Sequence, residues 1–181
     1  MRLLADAKKV ADLIQHLGEA VGRQIRGGDR RPLALVGIRS RGDLLAQRLA
    51  RIVKPNHLGT LDLTLYRDDL SEIGPQAVVR TTDINFNVDG VNIVLIDDVI
   101  MTGRSVRAAL QSLMDLGRPQ RVWLLVLVDR GGRELPIVPD HVGLRAELGG
   151  NELVNVFLRP TDDRDAIEVS DRSALKGDQY G

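Results

Sequence analysis

Asn92-Ile93-Val94-Leu95-Ile96-Asp97-Asp98-Val99-Ile100-Met101-Thr102-Gly103-Arg104-Ser105-Val106-Arg107-Ala108-Ala109-Leu110 decides the fold of this chain. The apolar run from Val91 to Ile96 is rich in β-branched residues and shows no alternation, which predicts a strand covered on both faces of a parallel sheet. The strand is predicted to stop at Asp97 and Asp98. Thr102-Gly103-Arg104-Ser105 then supplies a hydroxyl, a backbone free to approach a ligand closely, a cation and a helix N-cap candidate. Val106, Ala109, Leu110, Leu113 and Met114 recur at helical spacing behind it. The N-terminus of a helix presents unpaired N–H groups and positive dipole charge, so this turn suits a phosphate, and the two carboxylates before it suit the hydroxyls of a ribose. The segment matches neither the Walker loop nor the G-x-G-x-x-G dinucleotide turn.

Outward from this stretch, strands and helices alternate. Val10, Leu13, Ile14, Leu17, Val21 and Ile25 form one helical stripe that Gly27-Gly28-Asp29 stops. Leu33 to Ile38 reads as a buried strand, Leu44 to Ile52 as a helix, Leu61 to Leu65 as a strand with one wetter face, and Val122 to Val128 as a further buried strand. That order implies an α/β, doubly wound, mainly parallel sheet, with ligands outside the carboxyl ends of its strands. Four polar clusters, Arg39 to Gly42, Tyr66 to Asp69, Asp97 to Ser105 and Asp129 to Gly132, are expected to converge on that rim. Residues 70 to 83 read as a functional lid or mobile loop. Beyond Gly132 the chain reads as irregular until a strand at Leu153 to Leu158, with which Ala166 to Val169 would pair.

The length, 181 residues, fits a single domain spanning 1–181, with residues 171–181 read as a flexible tail. There is no cysteine, which excludes disulfides, thiolate catalysis and cysteine-ligated zinc. The histidines, His16, His57 and His141, lack metal-ligand spacing. The first residues lack the apolar core of a signal peptide and no run is long enough to span a bilayer, so a cytoplasmic protein without membrane contact is expected. Acids and bases balance at 25 each, so any RNA-binding surface has to be local.

Ile93 to Ser105 resembles the phosphoribosyl pyrophosphate signature of the type I phosphoribosyltransferases. Leu35 to Gly42, Leu61 to Leu70, Asp115 to Pro119 and Leu127 to Gly131 add a closer likeness, to the bifunctional pyrimidine operon attenuation regulators and uracil phosphoribosyltransferases of the PyrR type. The resemblance implies the type I phosphoribosyltransferase fold, with a small hood and a mobile loop. It implies conversion of uracil and phosphoribosyl pyrophosphate to UMP and pyrophosphate. It also implies regulation of pyrimidine genes through leader mRNA when UMP or UTP is bound, and a homo-oligomer, dimer or larger.

On that resemblance, Asp97 and Asp98 would be catalytic, binding the ribose diol and stabilising charge at the anomeric carbon. Val99, Ile100, Met101, Thr102, Gly103, Arg104 and Ser105 would form the phosphate-binding turn. Ser40 and Arg41 would bind pyrophosphate, with Mg2+ held by substrate oxygens and water and no direct protein ligand. Arg80 would close over the pyrophosphate, or else is a solvated arginine. Arg130 would border the uracil, and no residue identifies itself as the base that takes the uracil proton.

The chain departs from the family pattern at Met101, where an aromatic is usual, and at Gly132, Val138 and Leu144, where a His, an Arg and a Lys are usual. Arg133 and Arg145 remain as RNA-binding candidates, and Arg23, Arg26, Arg30, Arg31 and Arg48 offer an alternative patch or a solvated face. Two other functions stay open: a nucleotide-sensing RNA-binding regulator with vestigial catalysis, and a phosphoribosyltransferase for another base.

Overall fold

The computed structural model describes residues 1–25, 27, 29–63 and 82–171. Its main sheet holds five strands, all parallel, in the order β3 (His57–Leu61), β2 (Leu33–Ile38), β4 (Asn92–Ile100), β5 (Arg121–Asp129) and β6 (His141–Arg145). Side chains alternate across each strand, so the sheet feeds two cores. Leu33, Leu35, Val94, Ile96, Leu125 and Leu127 pack with α1 (Ala7–Ile25) and α2 (Gly42–Val53). Ala34, Val36, Ile93, Leu95, Leu124 and Val126 pack with α3 (Arg104–Leu116) on the other face. The unalternating apolar runs follow from this double coverage.

A second sheet is antiparallel, in the order β1 (Arg2–Ala5), β8 (Ala166–Asp171), β7 (Glu152–Phe157). This is the hood expected from the resemblance, and the pairing predicted for Ala166 to Val169 is present within it. Ile167 and Val156 bury into the core shared with α1 and α2, which ties the hood to the main sheet. Among the described residues no helix is long and apolar enough to cross a membrane.

The structure corrects the sequence reading at several points. β4 does not stop at Asp97 but runs through Ile100, because β5 continues beside it and pairs Asp97 with Val126, Val99 with Val128 and Ile100 with Asp129. The irregular stretch after Gly132 contains β6, held by its pairing with β5. The N-cap of α3 is Gly103 (φ 89°), not Ser105, which lies inside the first turn. The Tyr66 to Asp69 cluster, most of the 70–83 loop, Arg80, Arg26 and the tail beyond 171 lie outside the described residues.

Candidate active site

From β2 the chain passes to β3 on one side, and β4 lies on the other, so the sheet order reverses between β2 and β4. Such a switch point opens a crevice at the carboxyl ends of the strands. Ile38, Arg39, Ser40, Arg41, Leu63, Asp97, Asp98, Val99 and Ser105 line a cavity of about 260 Å³ there. Two of the predicted clusters therefore meet.

Close backbone packing makes this meeting possible. A Cβ on Gly37 would stand 2.4 Å from the Gly42 carbonyl oxygen, and one on Gly42 would stand 2.7 Å from that of Ile96. Only glycine lets the turn between β2 and α2 lie this close to β4. In that turn the Arg39–Ser40 peptide bond is cis and Arg41 has φ 73°.

Asp97 is buried, and its Oδ1 accepts the Asp98 N–H at 2.9 Å. Asp98 is half-buried, and its Oδ1 accepts the Val99 N–H at 2.9 Å. Burial pushes the Asp98 carboxyl above the usual carboxylate range, while its hydrogen bonds with Asp97 and Val99 and the charge of Arg41 pull the other way. Arg41 gives its Nε and Nη2 to the two oxygens of Asp162, each at 3.0 Å, and this pair raises the guanidinium pKa and lowers that of Asp162.

At the other end of this segment, Gly103 leaves the first turn of α3 without a side-chain cap. The Arg104 N–H reaches Thr102 Oγ1 at 3.3 Å, and Ser105 is exposed. The Arg104 guanidinium lies outward, paired with Glu134 at 2.8 Å. The Thr102 carbonyl accepts the N–H groups of Glu134 and Leu135, at 3.0 and 3.1 Å, which lays the loop after β5 against the turn. Met101 and Ile100 are held there by backbone bonds: Ile100 O accepts the Arg130 N–H at 3.1 Å, and Met101 O accepts Arg133 Nη1 at 2.9 Å.

The arginines after β5 are engaged to different degrees by neighbouring acceptors. Arg130 is buried, and its Nη2 donates to the carbonyls of Glu152 (2.6 Å) and Gly149 (3.3 Å), so it faces the hood and not the cavity. Arg133 bonds Met101 O, Ile137 O and Asp129, which leaves few donors for RNA. Arg145 is 70% exposed in its side chain while touching Asp129 at 3.1 Å. Arg48 leaves the alternative patch altogether, because Asp165 holds both of its terminal nitrogens, at 2.7 and 2.8 Å. Asp162 and Asp165 were not singled out from the sequence, and no local signal marks them.

A doubly wound sheet with paired acids and a glycine-capped helix start at its switch point is the architecture of a phosphoribosyltransferase-type protein. The family model for the phosphoribosyl transferase domain matches residues 4–153. Among curated relatives, a protein named Bifunctional protein PyrR from Thermus aquaticus is 53% identical over 142 residues, covering 76% of this chain and 78% of the relative. A namesake from Syntrophobacter fumaroxidans is 42% identical over 173 residues, covering 93% of this chain and 92% of the relative. Among solved structures, the hypoxanthine phosphoribosyltransferase of Trypanosoma cruzi matches with a TM-score of 0.71 at 16% identity, covering 94% of this chain and 97% of that one, a likeness of fold alone. The chain belongs to the phosphoribosyl transferase domain family and, within it, to the bifunctional PyrR proteins.

Proposed function

We propose that this protein is a uracil phosphoribosyltransferase that also acts as a uridine-nucleotide-dependent regulator of pyrimidine gene expression through leader RNA. The carrying observation is the shared cavity, which brings Ser40 and Arg41 from the turn before α2 beside Asp97 and Asp98 of β4 and Ser105 of the first turn of α3. In the reaction the bond between the anomeric carbon and pyrophosphate breaks, its electrons leave with the pyrophosphate, a uracil nitrogen bonds to that carbon, and the proton of that nitrogen is released to water.

Asp97 and Asp98 accept hydrogen bonds from the ribose hydroxyls and place negative charge beside the carbon as it becomes positive. Thr102, Gly103 and Ser105 take the 5′-phosphate on backbone and hydroxyl donors, with Val99, Ile100 and Met101 carrying the turn and Arg104 at its rim. Ser40 and Arg41 take the pyrophosphate. The carboxylate oxygens around the cavity are compatible with a hard cation nearby, and Mg2+ would be held there by diphosphate oxygens and water, supplying charge neutralisation for the leaving group. The backbone at Arg130 borders the base.

The regulatory half rests on the PyrR-named relatives, and of Arg133 and Arg145 it is Arg145 whose side chain stays exposed. Leader RNA binding measured with and without UMP tests it: tighter binding with UMP is expected, and equal or absent binding would contradict it.

A further inference from the structure

The hood side of the molecule contacts one cavity-lining side chain, that of Arg41, through one acid. Asp162 lies between β7 and β8, 121 residues from Arg41, yet its Oδ2 and Oδ1 accept Arg41 Nε and Nη2, each at 3.0 Å. The same Oδ2 accepts the Leu158 N–H at 2.7 Å, so the carboxylate is itself fixed to the hood backbone. Arg41 in turn has φ 73°, a region that a bulky L-residue seldom adopts, and needs support from outside its own loop.

A guanidinium has five N–H donors in a rigid plane. Two go to Asp162, and three remain on a side chain that lines the cavity with Asp97 and Asp98. Neighbouring Asp165 provides a contrast. It also grips Arg48 with both oxygens, through Nη1 and Nη2, but Arg48 is not among the residues lining that cavity.

We propose that Asp162 is a positioning residue for the pyrophosphate half of the substrate: by fixing the plane of the Arg41 guanidinium it aims the free donors at the diphosphate. The inference rests on the proposed phosphoribosyl pyrophosphate site. Asp162 does not touch the reacting atoms. Its loss leaves Arg41 charged but unaimed, so affinity for a diphosphate falls while contacts to ribose 5-phosphate and base persist.

The test is calorimetric binding of magnesium phosphoribosyl pyrophosphate and of ribose 5-phosphate to wild type, Asp162→Asn, Asp162→Glu and Asp165→Asn, each first checked for native circular dichroism. Asp162→Asn is expected to bind the diphosphate about tenfold more weakly and ribose 5-phosphate within about twofold of wild type. Asp162→Glu should recover part of the loss, and Asp165→Asn should bind both ligands like wild type. Unchanged diphosphate affinity in Asp162→Asn beside a binding wild type, or an equal loss in Asp165→Asn, would overturn the inference alone. A wild type that does not bind phosphoribosyl pyrophosphate would overturn the functional reading and this inference with it.

Discussion

Asp129 holds the guanidinium of Arg133 at 2.8 Å from its Oδ1, while its Oδ2 meets Arg145 at 3.1 Å. One carboxylate at the end of β5 thus anchors both arginines that the sequence offered for RNA, but unequally. Arg133 is a strut between β5, the 135–137 turn and the Met101 carbonyl, whereas Arg145 is mostly in water. Arg133→Ala is expected to cost about 1–2 kcal/mol of stability by removing its bonds to the half-buried Met101 and Ile137 carbonyls and its ion pair with Asp129, and Arg145→Ala less than about 0.5 kcal/mol. Paired urea melts check this, and equal losses would refute the distinction. In a leader-RNA titration Arg145→Ala should weaken binding without any change in melting temperature.

Gly132 has φ 77° and Val138 is 79% exposed, which separates two positions where the family usually carries basic or polar groups. Gly132→His must adopt a left-handed backbone and is expected to destabilise by about 1 kcal/mol. Val138→Arg meets no such strain and should strengthen leader-RNA binding at unchanged stability. Thermal melts and RNA titrations of the two variants settle the matter; a melting temperature for Gly132→His at or above wild type would contradict the strain argument.

Gly42→Ala drives a methyl group into the Ile96 carbonyl oxygen, 2.7 Å from the ideal Cβ position. Because the obstruction is backbone on a central strand, it cannot rotate away, and the loop carrying Ser40 and Arg41 has to move. A loss of about 3 kcal/mol or more is expected, together with weakened diphosphate binding. Wild-type stability in this variant would show that the loop can lift from β4 without cost.

The outline of the fold was legible because buried parallel strands carry their signal locally: Leu33 to Ile38 and the stripe on α1 are where periodicity places them. β6 was not, because Pro136, Pro139 and Gly143 mask a short edge strand whose existence depends on β5. β1 was missed for a similar reason, since its partner β8 lies at the other end of the chain. At the site, the acids and the phosphate turn form one contiguous segment and could be read directly. Arg41 with Asp162, and Arg130 with the hood carbonyls, join residues distant in sequence, and neither partner has a local pattern that names the other.

Acid sensitivity is expected in the hood. Arg48, through its side-chain hydrogen bonds, holds the Asp165 carboxyl below its usual pKa, so the pair contributes stability above about pH 4, the unfolded value, and loses it as pH falls through the depressed folded value. Asp165→Ala is therefore expected to be less stable than wild type by about 2 kcal/mol at neutral pH, with the gap closing below about pH 4. Denaturant melts across pH 2–7 would read this directly, and a gap independent of pH would assign the cost to packing.

Asp98 behaves in the opposite sense, since burial raises its pKa. If its negative charge faces the anomeric carbon, activity must fall on the acid side at a pH above the ordinary carboxylate value of about 4. Asp98→Asn should lose at least about a hundredfold in kcat and keep its fold. A wild-type rate in that variant would remove Asp98 from the mechanism.

The most direct test of the central claim follows nucleotide formation from phosphoribosyl pyrophosphate and magnesium with uracil, hypoxanthine, guanine and orotate offered in parallel. Turnover of uracil to UMP, with the other bases left unreacted, is the predicted result. Turnover of a purine or orotate in place of uracil, or no turnover of any base by folded protein, would contradict it.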